Sequence, residues 1–199
     1  MIIKRDKEDI LKEFKEEYLE SNWVRDFIEI DEVYRNKKSE IDKELMETFE
    51  RLCDKCISLQ NSNLKGNIKY IYFSFLRTSF CEGRGEFRID AYDENWFLDK
   101  SECYINMNFD FVYKSLFQFM DELKKERKKY GSDLNDMDIE EIILDEADKY
   151  LMLVIEFLKD RINQFIQAKS YSEMKKCEDI KIMAGEYMDE AEIIYDASV

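Results

Sequence analysis

The chain has 199 residues, with 46 Asp and Glu against 31 Lys and Arg and no histidine, so its formal charge is −15. Without imidazole, Ser-His-Asp and Cys-His nucleophile systems, His-containing zinc sites and His general bases are all excluded. The charge disfavours direct binding to nucleic acid or anionic membrane and favours cationic partners, while 45% apolar and 14% aromatic residues suffice for a packed core.

Met1-Ile2-Ile3 runs straight into Lys4-Arg5-Asp6 and lacks the apolar segment of a secretory signal. The longest apolar stretch, Tyr150 to Leu158, is interrupted by Glu156 and falls far short of the roughly 20 residues that span a bilayer. A cytoplasmic protein with no membrane contact is expected. In that compartment the five cysteines are expected as free, buried thiols rather than disulfides. The Lys, Ile, Asn, Glu, Tyr and Phe bias, with no proline, suits a bacterial or phage genome.

In chain order, Ile10, Leu11, Phe14, Tyr18 and Leu19 predict a helix from about Asp6 to Glu20, broken at Ser21 and Asn22. Trp23, Phe27, Ile30 and Tyr34 give a second, weaker one. A start signal at Ser39 opens a third, with the stripe Ile41, Leu45, Phe49, Leu52, Cys56 and Leu59. After the turn residues 61–67 the period changes to two. Ile68 to Phe80, Glu86 to Asp93 and Glu102 to Phe109 read as strands, with Gly83-Arg84-Gly85 as a hairpin turn.

Val112, Leu116, Phe119, Met120 and Leu123 mark a fourth helix, with the basic run Lys124 to Lys129 at its carboxyl end and Gly131 as cap. The longest helix is predicted from about Asp136 to Ala168, about 50 Å at 1.5 Å per residue. Ser170-Tyr171-Ser172-Glu173 then reads as the capping box of a final helix with the stripe Cys177, Ile180, Ala184, Tyr187, Met188, Ala191 and Ile194. The expected fold is therefore α+β and mainly helical, with a central three-stranded antiparallel meander over about 68–109 packed against helices. With no repeat and no Pro- or Gly/Ser-rich linker, residues 1–199 read as a single domain, helical over about 6–60 and 110–195.

Several candidate sites can be weighed. Cys53-Asp54-Lys55-Cys56 has metal-ligand spacing, but Cys56 lies on the apolar stripe, and a second pair would have to come from Cys81 and Cys103. Residues 133–144 carry the alternating oxygen side chains of a calcium loop, but Asp138 stands where Gly is needed and Leu144 where a bidentate Glu is needed. Neither a metal nor a cofactor is expected.

Asp138, Glu141, Asp145 and Asp148 form one acidic helix stripe, within a stretch from Ser132 to Asp148 that holds eight acids and no Lys or Arg. Like charges at this spacing cost stability unless a cation offsets them, which makes the stripe a candidate contact for a basic partner, the alternatives being an ordinary solvated face or an offset within the chain by the run Lys124 to Lys129. Glu178 to Val199 is also acidic, and such strips can imitate nucleic-acid phosphates. The second candidate is the polar sheet face. With Phe87, Ile89 and Ala91 inward, Arg88, Asp90 and Tyr92 project outward, joined by Arg77, Asn106 and Asn108, with Trp96 in the adjoining loop to stack on a ligand or partner; the plainer alternative is an ordinary Arg-Asp ion pair on a solvated or helix-covered sheet.

These features favour an acidic protein acting by protein-protein contact, of the immunity-protein, antitoxin or inhibitor kind, against a basic or nucleic-acid-binding target, with no catalytic residue assigned. The alternative is a carboxylate-dependent enzyme or small-anion-binding domain on the polar sheet face, where Asp90, Asp93, Glu94, Asp99 and Glu102 supply acid-base or magnesium chemistry.

Overall fold

A computed structural model of the chain describes residues 6–19 and 22–199. The expected helix end at Glu20 and the break at Ser21 lie outside the described residues. The described residues are mixed α+β and 61% helical. Contacts divide them into two compact units, one formed by residues 6–19 and 22–36 with 111–150, the other by residues 37–110 with 151–199. None of the three crossings, at 36/37, 110/111 and 150/151, carries a linker composition, because the chain passes between units inside α2, at the start of α4 and inside α5.

The first unit holds α1 (Lys7–Tyr18), the start of α2 (Asn22–Asn61), most of α4 (Asp110–Glu126), a 3-10 turn at Arg127–Tyr130 and the first half of α5 (Asp136–Ile166). Asp6 caps α1 by accepting from the amide of Glu8 at 3.2 Å. Ile10 and Phe14 of α1 are buried, as are Val112, Leu116 and Leu123 of α4 and Ile139, Ile142 and Ile143 of α5, all at the three- and four-residue spacing the sequence shows. Asp26, 1% exposed, accepts from the Tyr150 hydroxyl at 2.6 Å. The second and third expected helices are one element, α2. The Ser39 start signal falls inside it, and the backbone departs from helical geometry two residues earlier, at Lys37 (φ −116, ψ 17).

The second unit is built on a sheet with the order β3-β2-β1-β4-β5, from β1 (Ile68–Phe75), β2 (Glu86–Tyr92), β3 (Tyr104–Asn108), β4 (Lys176–Glu186) and β5 (Ala191–Asp196). β1 pairs antiparallel with β2 and parallel with β4, and the outer pairs are antiparallel. The three-stranded meander is thus corrected to a mixed five-stranded sheet. The first expected strand also ends earlier, at Phe75, and a short helix, α3 (Arg77–Cys81), precedes the turn in which Gly83 takes φ +75.

The expected final helix is likewise corrected. No capping box forms: Ser170 lies inside the five-residue α6 (Lys169–Glu173), whose N-cap is Ala168 with no side-chain cap bond, and the rest forms β4 and β5. Ile180, Ile182 and Ala184 are buried at a spacing of two, and pairing with β1 fixes that register. Gly185 is required here, because a Cβ at this position would stand 2.1 Å from the Glu190 carbonyl oxygen.

One sheet face carries Ile71, Phe73, Phe75, Phe87, Ile89 and Ala91, all buried. It packs on α2 and α5: Phe73 stacks on Phe49 at 6.3 Å and on Phe165 at 6.1 Å. That packing turns the opposite face of the sheet, with its polar and aromatic side chains, away from these helices.

Candidate functional site

The two-residue alternation predicted for β2 places Arg88, Asp90 and Tyr92 on that opposite face. Strand register aligns Ser74, Arg88 and Asn106 in one row, Tyr72, Asp90 and Tyr104 in the next, and Tyr70 with Tyr92 in the third. Arg88 grips Asp90 as a fork: Nε donates to Oδ1 and Oδ2 at 3.0 and 2.8 Å, and Nη2 donates to Oδ1 at 2.8 Å. The Asp90 side chain is 2% exposed and that of Arg88 20%. Burial pushes the Asp90 carboxyl above its ordinary pKa, against the pull of Arg88.

Aromatic rings surround this pair. The Arg88 guanidinium lies 3.8 Å from the ring centre of Tyr104 and 5.6 Å from that of Tyr187, within cation-π range of both. Trp96 meets Tyr70 edge-on at 4.1 Å and stands 5.6 Å from Tyr92. Phe97 meets Tyr92 edge-on at 5.3 Å. Trp96 has φ +56, a left-handed conformation that costs energy for a large side chain. Its loop is held by an ion pair between Lys65 and Asp99, whose side chains are 0% and 4% exposed. Asp99 also accepts from the amides of Asp93 and Ser101 at 3.1 and 2.9 Å.

The cluster reaches the surface. Leu98 is 83% exposed, and Phe97 and Tyr104 are each 37% exposed. Met188, next to Tyr187 in the β4-β5 turn, is 60% exposed. The segments presenting these side chains are acidic: Asp93, Glu94, Asp99 and Glu102 flank the first group, and Glu186, Asp189, Glu190 and Glu192 the second.

The other sequence-predicted residues lie elsewhere. Arg77 starts α3 instead of standing on the strand, and its Nε and Nη2 donate to Glu186 at 2.9 and 2.6 Å. Asn106 and Asn108 share the polar face, but Asn108 is engaged with Asp110 at the start of α4. Asp138, Glu141, Asp145 and Asp148 belong to the other unit. There Lys7 pairs with Asp138 at 2.7 Å and Lys15 with Asp145 at 3.1 Å. Asp138, 7% exposed, also accepts from the Asn135 amide at 2.8 Å, which makes it part of the α5 start. The cations offsetting half of this stripe therefore come from α1 of the same chain.

Sequence reasoning missed Tyr70, Tyr72, Phe97, Leu98, Tyr104 and Tyr187 as members of the cluster. The parity of Tyr70 and Tyr72 with Ser74, and of Tyr104 with Asn106, was sufficient to find three of them. Tyr187 was hidden by the helical reading of its segment. Among the described residues, no group of three or more Cys, Asp or Glu side chains is arranged to hold a metal ion, and no helix is long and apolar enough to cross a membrane.

No family model, curated protein or solved structure matches this chain significantly. What the face can do chemically follows from its own groups. The three Arg88-Asp90 hydrogen bonds occupy one edge of the guanidinium, through Nε and Nη2, and the carboxylate that a general acid or base would supply. What stays accessible is a set of aromatic and aliphatic side chains bordered by carboxylates.

Proposed function

We propose that this protein is a stoichiometric binding protein for a basic protein partner, docking it on the sheet face around Phe97, Leu98, Tyr104 and Met188. The observation that carries this reading is the exposure of those side chains, Leu98 at 83% above all, inside acidic segments. Aromatic and aliphatic anchors ringed by charge are what a protein interface uses for affinity, and the −15 charge accelerates encounter with a cationic target. Lys and Arg side chains of the partner would meet Glu94, Glu102 and Asp189. An inhibitor, immunity protein or antitoxin of a nucleic-acid-binding target would act this way, by occupying a basic surface.

The anion-binding or enzymatic alternative gains less support, because Asp90 is buried and takes the Nε and Nη2 donors of Arg88. The acidic stripe of α5 also gains less, because Lys7 and Lys15 neutralise Asp138 and Asp145. Cross-linking in cells of the native source, followed by peptide mapping, tests the docking reading. Cross-links to a basic protein through Lys100 are expected, and their loss in a Phe97→Ser, Leu98→Ser variant. A partner that cross-links only through α1 or α5 would refute the assignment.

A further inference from the structure

Three cysteines that the docking face does not use lie together in the second unit. Cys53 and Cys56 are one turn apart on α2, and Cys103 closes the loop ahead of β3; all three are buried. The Sγ atoms of Cys56 and Cys103 are 3.3 Å apart. Cys103 is fixed from the other side, since its carbonyl accepts from the Ala91 amide at 2.9 Å. The two thiols thus face one another from rigid elements, and an approach of about 1.3 Å would bring the sulfurs to bonding distance. The Cys103 thiol is held below its ordinary pKa by the hydrogen bond from Cys56, against burial, with Lys65 assisting.

We infer that Cys56 and Cys103 are a redox pair that closes to an intramolecular disulfide when a low-molecular-weight disulfide is the oxidant. The thiolate of one attacks the oxidant and releases one thiol. The second cysteine then attacks the mixed disulfide and releases the other, so that two protein thiols lose two protons and two electrons and one oxidant disulfide becomes two thiols. Cys53 has no role in the bond. In a reducing compartment the bond is transient, as cytosolic disulfides generally are. Closure would tie the end of the loop that carries Trp96, Phe97 and Leu98 to α2. The pair itself does not depend on the docking reading.

The test uses the full chain with the exposed Cys81 and partly exposed Cys177 replaced by serine, incubated with oxidised glutathione, then denatured, alkylated and digested. The expected result is a fall from three alkylatable thiols to one, with Cys56 and Cys103 peptides joined and Cys53 alkylated. A Cys103→Ser version should form no protein-protein disulfide, with Cys53 alkylated and Cys56 either alkylated or carrying glutathione. Repeating the oxidation in mild urea ensures that oxidant reaches the buried sulfurs. Three alkylated thiols under both conditions, or a link through Cys53, would overturn the assignment.

Discussion

The ammonium of Lys65 and the carboxylate of Asp99 face one another almost wholly out of solvent, with side-chain exposures of 0% and 4%, and this pair holds the loop that presents Trp96, Phe97 and Leu98. Removing one partner leaves a buried charge uncompensated. Asp99→Ala should therefore cost about 3 kcal/mol in urea unfolding, whereas an exposed acid of the same loop, Glu94→Ala, should stay within about 0.5 kcal/mol.

The same pair sets an acid limit on loop order. Burial works against ionisation of Asp99, but Lys65 and the amides of Ser101 and Asp93 outweigh it and hold the carboxyl below its usual pKa. A carboxylate with a lowered folded pKa stabilises the native state above its unfolded value, roughly 4. That contribution is lost as pH falls through the folded value. In a Trp23→Phe background, Trp96 fluorescence should hold steady from pH 7 to about 5 and change below about 4. In Asp99→Asn this acid transition should be absent.

Arg88 and Asp90 act as a unit. Arg88→Ala should destabilise by about 3 kcal/mol, because Asp90 remains buried and unpaired. The joint replacement Arg88→Met, Asp90→Leu should recover most of the loss. Comparing the single and double variants by chemical denaturation measures the coupling.

Ser74 has a buried hydroxyl with no hydrogen-bond partner among the described residues. An unsatisfied buried hydroxyl costs free energy, so Ser74→Ala should be neutral or stabilising by up to about 1 kcal/mol, read as an unchanged or higher urea midpoint.

On α5, charge reversal should act on stability. Asp138→Lys removes both the pairing with Lys7 and the bond to the Asn135 amide, and should cost about 1 to 2 kcal/mol as a lost helix cap does. Glu141→Lys, at an exposed position, should change the unfolding midpoint little.

Much of this architecture is legible in the residues. The helical spacing of Ile10 and Phe14, and of Ile139, Ile142 and Ile143, reports faces that are buried, and the alternation of Phe87, Ile89 and Ala91 fixes which side of β2 meets the core. Arg88, Asp90, Tyr92 and Trp96 do come together. Residues 177–194 were misread because Cys177, Ile180, Ala184, Tyr187 and Ala191 also satisfy a helical period. The competing signal, Ile180, Ile182 and Ala184, is short, and what decides the outcome is pairing with β1 more than a hundred positions away. Ion pairs such as Lys7 with Asp138 are invisible for the same reason: spacing along one helix says nothing about which lysines another helix will bring.

The most direct test of the docking assignment is the dissociation constant for the basic partner, once identified, measured for the wild type, Phe97→Ser with Leu98→Ser, and Glu141→Lys with Asp145→Lys at matched ionic strength. The loop variant should weaken binding at least tenfold with its fold intact, and the helix variant by less than threefold. Unimpaired binding by the loop variant, with loss in the helix variant, would contradict the account.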